Sequence, residues 1–153
     1  RILVRDKEVG KDMDFPEDMG LIIETPGFLP GVSGLKNLKI LASLRRIADE
    51  KKIRETMERV GLDPDLKKNV NKYSLGMRQR LGIAQAIMED PSILILDEPF
   101  NGLDKNGVAQ IRNLIKDLRR EGRTIILASH NQADIDELCD TVCEMDDGNM
   151  WRK

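Results

Sequence analysis

The chain has 153 residues, about the size of one domain, and is long enough to bury a core of its own. Apolar residues form 40% of it, yet no apolar run approaches the ~20 residues that cross a bilayer, so the composition predicts a chain that does not itself span a membrane. The formal net charge is −2 with acids and bases interspersed, which gives no large basic field, so we expect no nucleic-acid partner.

The first part of the chain contains two predicted strands and a loop. Ile2–Val4 is the first strand, with a short return at Glu8–Val9 after a charged turn. Gly20–Glu24 is an apolar run that ends in a carboxylate, and it predicts a second, buried strand. Residues 25–31 form a loop with two prolines and two glycines, but they include the apolar pair Phe28–Leu29. These side chains indicate either a partner surface or packing into the domain's own core.

Three helices are predicted in the middle of the chain. Apolar residues at helical spacing predict the first over 33–50, with Ser33 as N-cap, and the second over about 51–60, which Gly61 ends. The third begins at Ser74, directly after a loop and directly before another helical pattern. A helix amino terminus offers free N–H groups to an anion, so Ser74 is either a phosphate ligand or only an N-cap.

An apolar run that stops at two adjacent carboxylates is the most informative stretch. Residues 93–96 predict a short strand that is buried on both faces. Asp97 and Glu98 follow at its carboxyl end, the edge at which ligands bind in open α/β sheets. A strand that ends in Asp can hold a magnesium ion bound to nucleotide phosphates, and a following Glu can orient or deprotonate the attacking water. The alternative is a strand followed by an acidic turn.

The last third of the chain continues the alternation of helices and strands. Apolar spacing predicts a helix over 108–118 and a third buried strand over 124–128. His130 follows this strand, on the same edge of the sheet as the two acids, although a lone histidine is more often structural or on the surface. A helix near 132–139, a strand near 141–145 and a final turn at Asp147-Gly148 complete the prediction.

Four motifs carry a resemblance to a known family. In chain order they are Tyr73–Leu81, Ile93–Glu98, Asn101–Asp104 and Ala128–Asn131. Together they resemble the nucleotide-binding domain of ABC-type ATPases, over nearly the whole chain from Met19 to Met145. Within that family, the front segment Ile-Ile-Glu-Thr-Pro-Gly-Phe and the signature Tyr-Ser-Leu-Gly-Met-Arg-Gln-Arg look most like exporters of the bacitracin and lantibiotic self-protection type.

The resemblance implies a fold and a division of the chain. The fold is α/β, P-loop NTPase-like (RecA-like), with a mostly parallel sheet and a helical subdomain. Residues 1–24 and 91–153 are assigned to the catalytic core, and about 32–90 to the helical subdomain with the signature motif. Residues 1–153 together are expected to form a partial ABC-type ATPase domain.

The resemblance also implies ATP and Mg²⁺ as cofactors and gives roles to single residues. Asp97 is the expected magnesium ligand, Glu98 the general base or water-orienting residue, and His130 the partner of the terminal phosphate. Four further residues are expected at the nucleotide, in its own subunit or across a dimer: Glu24, Ser74, Gly76 and Asp104.

This sequence departs from the family pattern at two places. Glu24 stands where the family usually has a glutamine, so it keeps an oxygen ligand but adds a charge. In the signature, Tyr73, Leu75 and Met77 replace the usual Leu, Gly and Gln, while Ser74 and Gly76 remain. The role of the signature at the phosphate is therefore expected to survive.

We therefore expect the ATP-binding and ATP-hydrolysing motor subunit of an ABC transporter, an exporter by its resemblance. Its expected partners are a second ATP-binding subunit and a membrane-spanning permease subunit that docks at the loop near Phe28. The chain itself is expected to be soluble, at the cytoplasmic face of the membrane. The alternatives are a soluble ABC-type ATPase and a non-hydrolysing binding module. Only 74 − 24 = 50 positions separate Glu24 from Ser74, too few for the long coiled coil of DNA-repair or chromosome-structure relatives.

No Gly-x-x-x-x-Gly-Lys-Ser/Thr motif occurs in the sequence. In the family this phosphate-binding loop precedes the position of Arg1, so we interpret the chain as truncated at its N-terminus, with a natural degenerate subunit as the alternative. Alone, the chain is expected to bind and hydrolyse ATP poorly. The strand before that loop lies within the family's sheet, so its absence predicts unpaired strand edges and a tendency to oligomerise or aggregate.

Overall fold

Residues 1–24 and 27–153 are described by a computed structural model. Thr25 and Pro26, which belong to the predicted loop, lie outside the described residues. In the described ranges the chain forms seven strands, five α-helices and a 3₁₀ turn at Val70–Lys72. In chain order the strands and helices are β1 (Leu3–Val4), β2 (Lys7–Glu8), β3 (Met19–Ile22), α1 (Gly34–Arg45), α2 (Glu50–Arg59), α3 (Leu75–Ile87), β4 (Ile93–Asp97), α4 (Lys105–Arg120), β5 (Thr124–Ala128), α5 (Gln132–Leu138), β6 (Cys143–Asp146) and β7 (Asn149–Arg152).

Strands β3, β4 and β5 form a parallel sheet with β4 in the middle, which confirms the predicted parallel arrangement. The register pairs Ile22 with Leu96 on one side of β4 and Asp97 with Ala128 on the other. Because the three strands run in the same direction, their carboxyl ends meet at one edge of the sheet. The residues that follow each strand are therefore brought together there.

The burial of these strands differs from the prediction. In β4 the alternate side chains Leu94 and Leu96 are fully buried, while those between them are half-buried. In β5, Ile125 and Leu127 pack against the core, but 55% of Ile126 is exposed on the other face. The prediction of strands buried on both faces is therefore wrong for β4 and β5. An apolar run indicates a strand, but it does not tell what covers each face.

The first predicted helix ends earlier than its apolar spacing indicates. Helix α1 begins at the predicted N-cap, Ser33. It ends where Arg46 adopts a left-handed conformation (φ 57°) and donates its N–H to the Ala42 carbonyl at 2.8 Å. Asp49 then caps α2 by accepting the Lys52 N–H at 2.8 Å. The prediction of one helix over 33–50 is wrong, because a second N-cap separates α2 from α1.

Helix α3 packs closely on the sheet because glycine occupies position 20 of β3. A Cβ atom at Gly20 would overlap the carbonyl oxygen of Ala86 in α3 and crowd the Leu94 side chain. The sheet and the helices share one buried cluster, whose most central members are Ile22, Leu38, Ile53, Met57, Leu81, Ile83, Leu94, Leu96, Ile111 and Leu118. This close approach sets where α3 begins relative to the sheet edge.

The loop before α1 resolves one alternative that the sequence leaves open. Phe28 is half-buried and packs against the core cluster. Leu29 is exposed, and its backbone N–H and C=O are both held by the buried side chain of Asn37, at 2.8 and 3.1 Å. Packing into the domain's own core therefore accounts for Phe28, and Leu29 is a large apolar side chain that the described residues 27–31 of this loop expose.

Two antiparallel hairpins complete the chain, β1 with β2 and β6 with β7. Asp147 (φ 44°) and Gly148 (φ 76°) form the predicted turn of the second hairpin, since two left-handed residues are typical of a two-residue hairpin turn. All residues of β6 and β7 are exposed. Across the described ranges, none of the helices has both the length and the apolar character needed to cross a membrane.

Asp18 joins the starts of β3 and β4. Its Oδ1 accepts the Ser92 backbone N–H at 2.9 Å, and its Oδ2 accepts the Ser92 hydroxyl at 2.6 Å and Arg5 Nη2 at 2.8 Å. The hydrogen bonds from Ser92, and then Arg5, hold the pKa of the Asp18 carboxyl below its usual range. The ionised carboxylate therefore stabilises the folded chain.

Substitution of Gly20 by alanine is expected to destabilise the fold strongly. The new Cβ would force β3 and α3 apart at a backbone-to-backbone contact, at a cost of about 3 kcal/mol in the free energy of unfolding. Denaturant titration measures this cost. Gly31→Ala is the control, because a Cβ at Gly31 meets nothing within 4 Å. Equal stabilities of the two variants would contradict the close packing of α3 on β3.

Substitution of Asp18 by asparagine is expected to remove a pH-dependent contribution to stability. Because the pKa of Asp18 is lowered by folding, its contribution is complete above the unfolded value of about 3.9 and is lost as the pH falls through the folded value. The difference in unfolding free energy between wild type and Asp18→Asn should be largest near neutral pH and shrink below about pH 4. Denaturant titrations across pH measure it, with exposed Asp14→Asn as the control. A difference that stays constant with pH would refute the argument.

Candidate active site

A cavity of about 490 Å³ lies at the carboxyl edge of the parallel sheet. It brings together three carboxylates that the sequence places at strand ends, Glu24, Asp97 and Glu98. The rest of its lining comes from the start of α3 and from the loop after β4: Leu75, Gln79, Asn101 and Gly102. Three of the predicted site residues therefore line one cavity.

Glu98 and His130 are in direct contact at this edge. Glu98 Oε1 accepts the backbone N–H of His130 at 2.9 Å and lies 2.7 Å from its Nδ1. Because an ionised carboxylate can only accept hydrogen bonds, this contact requires the imidazole proton on Nδ1. The second ring nitrogen, Nε2, remains for another partner, and 80% of the His130 side chain is exposed. The two residues thus lie at the shared sheet edge that the sequence predicts, and the structure adds a hydrogen bond between them.

Glu98 holds an unusual backbone conformation. Its φ is 46°, in the left-handed region that costs a non-glycine residue on the order of 1–3 kcal/mol. Two contacts hold it there: its N–H donates to the Ala128 carbonyl at 2.9 Å, and its carbonyl accepts from Gln79 Nε2 at 3.3 Å. Glu24 is also left-handed, with φ 54°. Asp6, Asp90 and Asp147 are left-handed too. What distinguishes Glu24 and Glu98 is that both line the cavity.

Two predicted site residues have clear structural roles as helix caps. The Ser74 hydroxyl accepts the Met77 N–H at 3.2 Å and caps α3, and the Asp104 carboxylate accepts the Gly107 N–H at 2.8 Å and caps α4. Both caps are exposed, and neither lines the cavity. Their roles at a nucleotide remain predictions.

Gly76 packs against the loop that follows β4. A Cβ atom at Gly76 would lie 2.6 Å from the carbonyl oxygen of Gly102, and a Cβ at Gly102 would meet the side chain of Leu75. The absence of a side chain at position 76 therefore lets the first turn of α3 approach this loop within the same chain. The sequence predicts a close approach to a phosphate at Gly76, and that role stays a prediction.

Comparison with known proteins decides the family. The profile of the family described as ABC transporter matches residues 1–101, about two thirds of the chain. The chain belongs to the ABC transporter family. It is 44% identical to an uncharacterized ABC transporter ATP-binding protein, YybJ, of Bacillus subtilis, over 97% of this chain and 68% of that protein. It is 45% identical to the bacitracin transport ATP-binding protein BcrA of Enterococcus faecalis, over 86% of this chain and 43% of that protein.

Solved structures confirm the fold of this ABC protein. The cassette MJ0796, in a dimeric post-hydrolysis state bound to ADP and Pi, superimposes with a TM-score of 0.81 over 97% of this chain and 71% of that chain. Its sequence is only 19% identical, so the similarity shows the fold. The predicted family and α/β fold class are thus confirmed. The chain spans 68% of the length of YybJ and less than half of the length of BcrA.

Gln79 is a site residue that the sequence analysis does not single out. It is buried in α3, lines the cavity and donates to the Glu98 carbonyl. The sequence offers one signal that Gln79 is buried: Ile83 lies four positions later, on the same face of the helix, and is also buried. A glutamine on the buried face of an amphipathic helix requires a polar partner, and here that partner is the backbone of the candidate catalytic residue.

The donor set suits magnesium that is bound together with nucleotide. In the part of the chain that the structure describes, no three His, Cys, Asp or Glu side chains converge as a protein-only metal site. Mg²⁺ commonly takes one or two carboxylates and completes its shell with water and phosphate oxygens. Asp97 and Glu24, which line the same cavity from two neighbouring strands, fit that pattern.

Substitution of Gly76 by alanine tests the contact between α3 and the loop after β4. Because the Cβ would collide with the Gly102 carbonyl, we expect the loop to shift and ATP turnover of the subunit that contains this chain to fall about tenfold or more. Steady-state phosphate release measures the turnover. Gly31→Ala is the control, because it adds the same methyl group at a position where nothing lies within 4 Å. Turnover equal to that of the control would show that the loop position does not matter.

Proposed function

We propose that the protein is the ATP-hydrolysing subunit of an ABC transporter, and that Asp97, Glu98 and His130 form the hydrolytic part of its ATP site. The observation that carries the proposal is the contact between Glu98 Oε1 and His130 Nδ1 (2.7 Å), directly after the Asp97 that ends β4. Asp97 and Glu98 line the cavity, and His130 contacts Glu98 from outside its lining. A metal ligand, an acid and a hydrogen-bond partner of that acid form the set that phosphoryl transfer to water requires.

Asp97 and Glu98 have different tasks in this proposal. Asp97, with Glu24 beside the same cavity, would hold a Mg²⁺ ion on the nucleotide phosphates, where the ion neutralises developing charge. Glu98 accepts the proton of the attacking water, whose oxygen bonds to the terminal phosphorus as the bond to the ADP oxygen breaks. Since one carboxylate oxygen accepts two N–H groups from His130, the other is the oxygen expected to face the water.

His130 orients Glu98 and has one nitrogen left for the phosphate. With its single proton on Nδ1, the neutral imidazole can only accept at Nε2 and therefore repels an anionic oxygen. Donation to the terminal phosphate while Glu98 is still held requires the doubly protonated imidazolium.

A second copy and a membrane subunit are the proposed partners. The similar cassette MJ0796 is described as dimeric, which supports a dimer here. Ser74 stands exposed at the start of α3; its oxygen accepts the Met77 N–H, and its hydroxyl proton is still able to donate to a phosphate held by the other subunit. The similarity to BcrA, which is named for bacitracin transport, supports a transport role here, and exposed Leu29 is the apolar contact that we assign to the membrane subunit.

Substitution of Glu98 by glutamine is expected to lower ATP turnover of the subunit by about 100-fold or more while nucleotide stays bound, because the base is lost and the shape is kept. His130→Ala should reduce turnover in the same direction. Phosphate release and nucleotide retention on a filter measure the two effects. Glu55→Gln, an exposed acid in α2, is the matched control. Undiminished phosphate release by the Glu98 variant would remove Glu98 from the proposed role.

A further inference from the structure

A buried ion pair lies behind the catalytic pair. Asp134 in α5 is only 2% exposed, and within residues 1–24 and 27–153 it is the one buried residue that carries a charge. Arg112 in α4 donates to its Oδ1 from Nη2 at 2.5 Å and from Nε at 2.8 Å. Arg112, which is 22% exposed, also pairs with Glu137 of α5 at 2.7 Å, and Lys116 pairs with the same partly exposed acid at 2.6 Å. The buried pair is therefore not the sole connection between α4 and α5.

The ion pair reaches the residues on both sides of His130. Asp134 Oδ2 accepts the Ser129 hydroxyl at 3.4 Å, and the Ser129 oxygen accepts the backbone N–H of Asn131 at 3.1 Å. His130 lies between these two residues, and its own N–H donates to Glu98. The turn that presents the histidine thus contacts Asp134 at both ends: through this long hydroxyl contact at its start, and through the Asp134 N–H, which donates to the Asn131 carbonyl at 3.0 Å, at its end.

Arg112 also contacts the segment that carries Glu98. Its guanidinium lies over the ring of Phe100, with 6.0 Å from the central carbon to the ring centroid. Phe100 is two residues after Glu98 and packs against the core. One arginine therefore touches the Phe100 ring on the Glu98 segment and the buried acid behind His130.

Stability alone gives little reason for such a pair. The cost of removing two charges from water commonly equals their attraction, so apolar residues of similar size stabilise a core as well. A charged pair does fix direction, because each hydrogen bond demands a defined donor and acceptor geometry. What the Arg112–Asp134 pair adds to apolar packing is an orientation of the turn at 129–131.

We propose that Arg112 is a positioning residue for ATP hydrolysis, which acts through Asp134 and Ser129 on His130 and through Phe100 on the Glu98 segment. This inference rests on the proposed function of Glu98 and His130. It predicts that loss of Arg112 leaves nucleotide binding intact and impairs the hydrolytic step, because the imidazole is no longer held against the Glu98 carboxylate.

The test compares Arg112→Met with Arg120→Met in the subunit that contains this chain. Arg120 lies on the same helix, is 75% exposed and pairs with Asp117 one turn earlier, so its removal controls for the loss of one positive charge. We expect Arg112→Met to lower kcat about tenfold to 100-fold with little change in the KM for ATP, and Arg120→Met to behave as wild type. Arg112→Lys should restore part of kcat, since it keeps a charge for Asp134.

A second variant separates positioning from folding. Arg112→Met leaves Asp134 buried without its partner and lowers the melting temperature. Ser129→Ala keeps the ion pair and removes both its hydrogen bond to the turn and the Asn131 N–H bond within the turn. We expect Ser129→Ala to lower kcat and shift its pH profile without a change in melting temperature. A merely structural role of Arg112 would leave kcat and the pH profile of Ser129→Ala unchanged.

The outcomes distinguish the inference from the function on which it rests. If Glu98→Gln stops turnover but Ser129→Ala keeps the wild-type kcat and pH profile, the positioning role is refuted and the proposed function stands. If Arg112→Met matches Arg120→Met in kcat, the role is refuted as well. If Glu98→Gln itself retains turnover, the proposed role of Glu98 is refuted, and the inference that rests on it is refuted with it. Should Arg112→Met not fold, Arg112→Lys takes its place, because lysine keeps the charge but not the two-point contact with Asp134. A wild-type kcat of Arg112→Lys would then refute the role.

Discussion

The hydrogen-bonded register of β4 between its neighbours is the constraint on which the candidate active site depends. The ladder with β5 continues one residue past the strand, where the Glu98 N–H donates to the Ala128 carbonyl. After β5 the chain turns, and the N–H of His130, two residues past Ala128, donates to the Glu98 carboxylate. A shift of one residue in this pairing would separate the acid from the histidine and turn every side chain of β4 to the opposite face.

The left-handed conformation of Glu98 follows from that register. The strand must end and the side chain must turn toward the cavity within one residue, and a positive φ achieves both. The strain is offset by the contacts with Ala128 and with Gln79, which comes from a different layer of the fold. Gln79 can reach Glu98 because glycine at position 20 allows α3 to lie directly on β3. The close packing of α3 on β3 thus determines where Gln79 meets Glu98 at the site.

Much of this site could be predicted from the sequence, because it follows from strand order. A carboxylate or histidine that follows a parallel strand has only one edge to occupy, so the meeting of Asp97, Glu98 and His130 needs no knowledge of side-chain packing. Burial and helix ends were less predictable. Ile126 belongs to an apolar run with one open face. Helices α1 and α2 divide at the left-handed Arg46 and the N-cap Asp49, within a stretch whose apolar spacing continues without a break.

Contacts between distant elements lay beyond prediction. The meeting of Arg112 with Asp134 depends on how α4 and α5 rotate about their axes, and an arginine on a charged helix looks like any other surface residue in the sequence. Gln79 carried a weak signal, whereas Phe100 beneath Arg112 carried none. In each case the partner is set by tertiary packing and not by local spacing.

The contact between Gly76 and Gly102 has a mechanical consequence. Because it joins two stretches of main chain without an intervening side chain, neither can move toward the other, and no rotamer change can absorb a displacement. Any ligand that pushes on the first turn of α3 therefore pushes on the loop behind Glu98 as well. The amino terminus of α3 and the loop that leaves β4 therefore move together when they are pressed toward each other, so a displacement of either reaches the backbone next to Glu98.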